Sequence, residues 1–211
     1  MLSLIYLARI FEKLKTIEPR NSFPVNLILE EAHRYISEKK RTHDTNLQAY
    51  SDALDLHFIA GKLRLASLIT SIQKIYTQDL HVGLLEETIQ YAEKKGLTTH
   101  PAVGVYYFVY KALSEPSKEE HFFNLKEAIF QNDAFFTSEE QRDILLLAVN
   151  YCIGKMNVGM TRFIGEAFDL YKRGIENQVL LDKGVLNHLT FINIVTTGAT
   201  LRQFDWVQAF I

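Results

Sequence analysis

Apolar residues return at intervals of three and four along most of this chain, and strict alternation is rare, so the pattern predicts helices throughout. A first helix is expected from Leu2 to about Thr16, ending before Pro19, and a second from Pro24 to about Lys40. Thr45 with Gln48 reads as a capping box for a third helix that stops at Gly61. Lys62 to Tyr76 follows, with Leu65, Leu68, Ile69, Ile72 and Ile75 as its apolar stripe. Asp79 caps the next helix, which leaves through Lys94, Lys95, Gly96 and Leu97, with cations at the negative end and glycine for a left-handed turn. His100 and Pro101 open a helix to Ser114; Ser117 with Glu120 and Thr137 with Glu140 are further capping boxes, before Phe122 to Asn132 and Gln141 to Ile153. Met160 to Arg173, a helix capped by Asp182 and running to about Thr197, and Leu201 to Ile211 complete the series.

Two kinds of helix alternate. Those around Val103 to Tyr110 and Ile144 to Tyr151 are apolar on every side and must be buried on more than one, and each precedes a shorter amphipathic helix. Phe122, Phe163 and Phe204 recur at one interval of 41 residues, and the exits Lys94-Lys95-Gly96-Leu97 and Lys172-Arg173-Gly174-Ile175 lie 78 apart. A helix that cannot bury its own apolar face and recurs at a fixed interval marks a repeat array. The expected fold class is therefore all-α: a right-handed α-α superhelix of stacked antiparallel hairpins, with about ten helices. It would form one domain over 1–211, with 1–78 irregular and 79–211 built from units of about 40 residues.

Within Met160 to Ile175, the residues Ala167, Tyr171 and Gly174 stand at the spacing of the small, aromatic and small positions in the second helix of a tetratricopeptide repeat. From about Asp79 to Ile211 the chain resembles tetratricopeptide-like helical repeat proteins of bacteria. It departs from them in its longer unit, in lacking the Trp and Leu-Gly pair of the first helix, and in carrying Trp206 in a second helix. The resemblance implies an adaptor that holds peptides or other proteins.

Composition narrows this further. An apolar share of 47% with 23% charged residues belongs to an ordinary globular chain, and a net charge of −2 argues against nucleic acid as partner. Lys39, Lys40 and Arg41 read as cations at a helix end. Cys152, the single cysteine, lies in an apolar run, so no internal disulfide is available and a buried thiol is expected. The first residues, MLSLIYLARIFEKL, lack a basic leader and a cleavage site and read as an amphipathic helix; the longest uncharged stretch, Gly184 to Leu201, is too polar for a lipid-facing span. The expectation is a cytoplasmic protein that does not enter the membrane. Leu201 to Ile211 ends apolar and uncapped, which predicts either a piece of a longer array or association of that segment with another chain.

Chemistry is sparse. Glu30 and His33 form a lone Glu-x-x-His pair, Gly61-Lys62 and Gly154-Lys155 lack the surroundings of a phosphate loop, and Asp55 and His57 point to different helix faces. No cofactor, metal or catalytic residue is expected, and the chain is read as a non-enzyme. Binding is assigned to Asn150 and, one unit later, Asn193, with Thr190 and Thr197 on the face of Asn193. These uncharged groups suit an extended peptide backbone. Tyr106 and Tyr110 are a second set that would line a groove. The competing function class is an all-helical small-ligand-binding or catalytic domain, which requires a deep pocket with convergent ionisable groups.

Overall fold

The computed structural model describes residues 47–73, 80–132, 135–182 and 184–211. The expected helices over 2–16 and 24–40, the Thr45 cap and the Glu30–His33 pair lie outside them. The chain divides into two units, Met1–Asp55 and Leu56–Ile211, and the packing described below belongs to the second.

The described chain is all-helical apart from two short strands. In order come α1 (Leu47–Gln73), α2 (Leu85–Lys94), a single 3-10 turn (Leu97–Thr99), α3 (Pro101–Ser114), α4 (Glu120–Gln131), α5 (Ser138–Asn157) and α6 (Phe163–Glu176). Strands β1 (Leu181–Asp182) and β2 (Val185–Leu186) then pair antiparallel, Leu181 opposite Leu186, before α7 (His188–Thr200) and α8 (Phe204–Phe210).

Several sequence signals are realised as written. The His100 imidazole accepts the Ala102 N–H at 3.3 Å with Pro101 in the first turn, Thr137 and Glu140 form the reciprocal capping box of α5, and Gly96 takes the left-handed turn at φ 66°. Others are not. The break expected at Gly61 does not occur, because Ile59, Leu63 and Ala66 on either side of it are buried on one stripe of a continuous α1, and packing outweighs the modest helix cost of a glycine. Ser117 is not the cap of α4, whose first residue is preceded by Glu119 in helical conformation. Asp182 enters β1, and α7 is capped by Asn187, whose Oδ1 accepts the Leu189 N–H at 2.9 Å. Gly174 does not end α6; it is buried inside the helix, where an added Cβ would come within 2.7 Å of the Leu180 side chain. The glycine is there for close approach, not for a left-handed turn.

Neighbouring helices pack in succession, α3 on α4, α4 on α5, α5 on α6, α6 on α7 and α7 on α8, and α3 also packs on α5. At the centre, Phe122 of α4 stacks on Tyr151 of α5 at 4.9 Å between ring centroids and meets Phe163 of α6 edge-on at 5.6 Å. Around them, polar contacts reach from one hairpin to the next. Lys126 Nζ donates to Glu166 at 2.6 Å and to Asp169 at 2.7 Å, and Glu119 takes both Lys155, at 3.3 Å, and Arg162. Phe204, the third phenylalanine of the series, is exposed.

Candidate functional site

A cleft of about 590 Å³ is lined by the last turns of α5, the end of α3, the turn into α4 and Ser71 of α1. Local bonds set its shape. The Tyr151 hydroxyl donates to the Pro116 carbonyl at 3.1 Å and so ties the turn to α5. Lys155, one turn further along α5, is buried over the rings of Tyr151 and Phe163 and reaches Glu119 at 3.3 Å.

The charges of this wall are matched among themselves. Arg162, then Lys155, hold the Glu119 carboxyl below its usual range. In the same turn Lys118 and Lys111 pull Glu115 down to about 2. Burial pushes the Tyr151 phenol up to about 12, so it stays a neutral donor at physiological pH. What the cleft offers a ligand is uncharged: the Asn150 and Asn157 amides and the Ser117 hydroxyl beside Leu113, Ile153 and Val158. No His, Cys, Asp or Glu lines it, so it has neither a nucleophile and base in contact nor a ligand set for a metal. Among the described residues no three such side chains converge anywhere. The amides can exchange hydrogen bonds with a peptide group, and the aliphatic residues can cover a side chain.

Of the six residues singled out by sequence, Asn150 alone lines this cleft. Tyr106 is buried, edge-on to Phe136 at 6.0 Å and beneath the Arg64 guanidinium, and burial raises its phenol. Tyr110 is half-buried against the core. On α7, Thr197 is buried and its hydroxyl turns back to the Asn193 carbonyl at 2.7 Å and the Ile194 carbonyl at 3.0 Å. Asn193 is exposed and Thr190 is half-buried. Sequence reasoning missed Ser117, Asn157 and Ile153. Ser117 was absorbed into a capping box, and the other two carry no signal until α5 and the α3–α4 turn are brought together.

Two smaller sites differ. A cleft of about 270 Å³ at the start of α3 is polar, but its groups are engaged locally: His100 with Ala102, Gln131 with Glu127, and Asn132 with the Ala128 carbonyl. A hollow of about 550 Å³ near the end of the chain is lined by Trp206, Phe210, Phe191 and aliphatic residues. Compared with protein-family models, with curated proteins and with solved structures, the chain matches none of them.

Proposed function

We propose that the chain is a protein-interaction module that holds an extended peptide segment in the cleft at Asn150. The array we propose around it is a right-handed superhelix of antiparallel hairpins, tetratricopeptide-like, with α3–α4, α5–α6 and α7–α8 as successive units and ten helices once those expected over 2–40 are added. The observation that carries the reading is Asn150 itself. It is an exposed amide in the otherwise apolar run Ile144 to Ile153 of α5, in a cleft whose one charged lining residue, Lys155, is paired with Glu119, so it is presented to a neutral hydrogen-bonding ligand. Support for the array comes from the contacts between hairpins, Phe122 with Phe163 and Lys126 with Glu166, at sequence separations near 40.

The test is selection from a displayed random-peptide library on the full chain, followed by titration of the enriched peptides. Asn150→Ala is expected to weaken them about tenfold, roughly 1.4 kcal/mol, and Ile153→Asp more. If no peptide is enriched, or if affinity ignores both substitutions, the reading falls. A second reading, a small uncharged ligand, draws on the cleft volume, which lies within the range of small-molecule sites. Native mass spectrometry of the purified chain would show such a ligand as a bound mass lost in Ile153→Asp.

A further inference from the structure

Gly154 stands near the end of α5, and nothing in the fold asks for a glycine there. Its φ is outside the left-handed region, and an added Cβ would meet no atom within 4 Å. A glycine inside a helix loosens it, so neither the backbone nor the packing gains from this one. Gly61 in α1 and Gly165 in α6 are equally open, but of the three Gly154 alone lines the cleft at Asn150. Helical geometry puts it at the middle of the floor. At about 100° per residue, the lining residues of α5 and its cap fan from Ile153 on one side to Lys155 on the other, and Gly154 faces along the centre of that fan. Asn150 and Asn157 share a line to one side of it. Tyr151 lies to the other, where its hydroxyl is bonded to Pro116 of the α3–α4 turn.

The Asn150 and Asn157 side chains are exposed and make no hydrogen bond among the described residues. Along the helix axis the two positions are about 10.5 Å apart. Peptide groups three apart in an extended chain are separated by about 10 Å. Because successive groups alternate in direction, the N–H of one and the C=O of the other face the same edge. An asparagine amide can accept from the first and donate to the second. We propose that Gly154 is the floor over which the main chain of a bound peptide passes, with Asn150 and Asn157 each holding one peptide group along the same edge. This rests on a peptide being the ligand of the cleft, and adds a direction, along α5, and a register, three residues between the two amides. The missing Cβ lets the strand sink until both amides reach it, while the side chain that faces downward packs against Ile153. A methyl group on the floor would lift the strand from both amides.

The peptides enriched on the full chain are the probe. Gly154→Ala should weaken them about tenfold and Gly154→Leu about a hundredfold or more, with the melting temperature unchanged or raised in both, because the space above the helix is open. Gly165→Ala, equally open on α6 but outside the cleft, should act on melting in the same way and leave affinity alone. Register is read from the ligand. When its peptide bonds are replaced by esters one at a time, one bond should lose its effect on affinity in Asn150→Ala, and another, three bonds away, in Asn157→Ala. Peptides that bind Gly154→Leu as tightly as the native chain, a fall in melting temperature for Gly154→Ala, or sensitive bonds at any other spacing would overturn the proposal. If peptides bind and respond to Asn150→Ala yet ignore Gly154→Leu, the role of Gly154 fails alone; if no peptide is enriched, both readings fall.

Discussion

His100 joins a structural task to a titration. Its Nδ1 accepts the Ala102 N–H at the start of α3, which only the neutral ring can do. Burial lowers its pKa from 6.5, and does the same at His57. Both groups therefore bind a proton less readily folded than unfolded. Their contribution is present above pH 6.5 and is lost as pH falls through 6.5 towards the lower folded values. Urea unfolding in steps from pH 8 to 5 should show stability declining over that window. His100→Asn, which keeps a capping acceptor, should shallow the decline; an unchanged slope would remove His100 from the account. Lys126 is the other informative residue, because its amine bridges two carboxylates on α6 and links hairpins instead of decorating one. A double-mutant cycle of Lys126→Met with Glu166→Gln should give a coupling of about 0.5–1 kcal/mol, limited by the partial exposure of the pair.

At the scale of elements, two glycines make opposite predictions. Gly61 sits in the middle of α1 with open space where a Cβ would go, so Gly61→Ala should stabilise the protein by about 0.5–1 kcal/mol. A loss of stability there would mean the helix is broken at that point. Gly174 is pressed against Leu180 and Leu145, and Gly174→Ala should cost about 1–3 kcal/mol in thermal or urea unfolding. The contrast follows from tertiary packing alone, since both residues stand in runs that read as helix exits. Thus the two expected exits 78 residues apart have different physics. Gly96 is a left-handed turn, whereas Gly174 is a contact point.

Across the molecule, the 41-residue spacing is physical between its first two members and incomplete at the third. Phe122 and Phe163 are fully buried and meet each other edge-on, with Tyr151 packed against both, while Phe204 is 61% exposed. Phe122→Ala should therefore cost about 3–5 kcal/mol and Phe204→Ala less than about 0.5, as read by equilibrium unfolding. Equal costs would show that sequence spacing, not packing, sets the role. Cys152 is 0% exposed and burial pushes its thiol up to about 12, so alkylation at neutral pH should proceed only through opening of the α5 core and slow in step with stability.

The 3.6-residue pattern determined that the described chain is helical, and local capping chemistry determined several helix starts, because a cap or a left-handed glycine is settled by residues within one turn. The alternation of all-apolar and amphipathic helices also told that α3 and α5 lie inside. Asn150 was singled out by its alignment with Asn193 one unit later, and it is the one polar residue in the run Ile144 to Ile153. The companions of Asn150 were not, since Ser117, Ile153 and Asn157 become a cleft only when the Tyr151 hydroxyl draws the α3–α4 turn onto α5. Nor was the direction of α7. Periodicity placed Thr190, Asn193 and Thr197 on one face, but it takes the packing of α7 on α6 and the close approach of Gly198 to Phe168 to turn that face partly inward and leave Leu189 and Ile192 to the solvent. A helix made wholly of uncharged residues has no sequence signal for which side is buried, so the decision belongs to the neighbours it packs against.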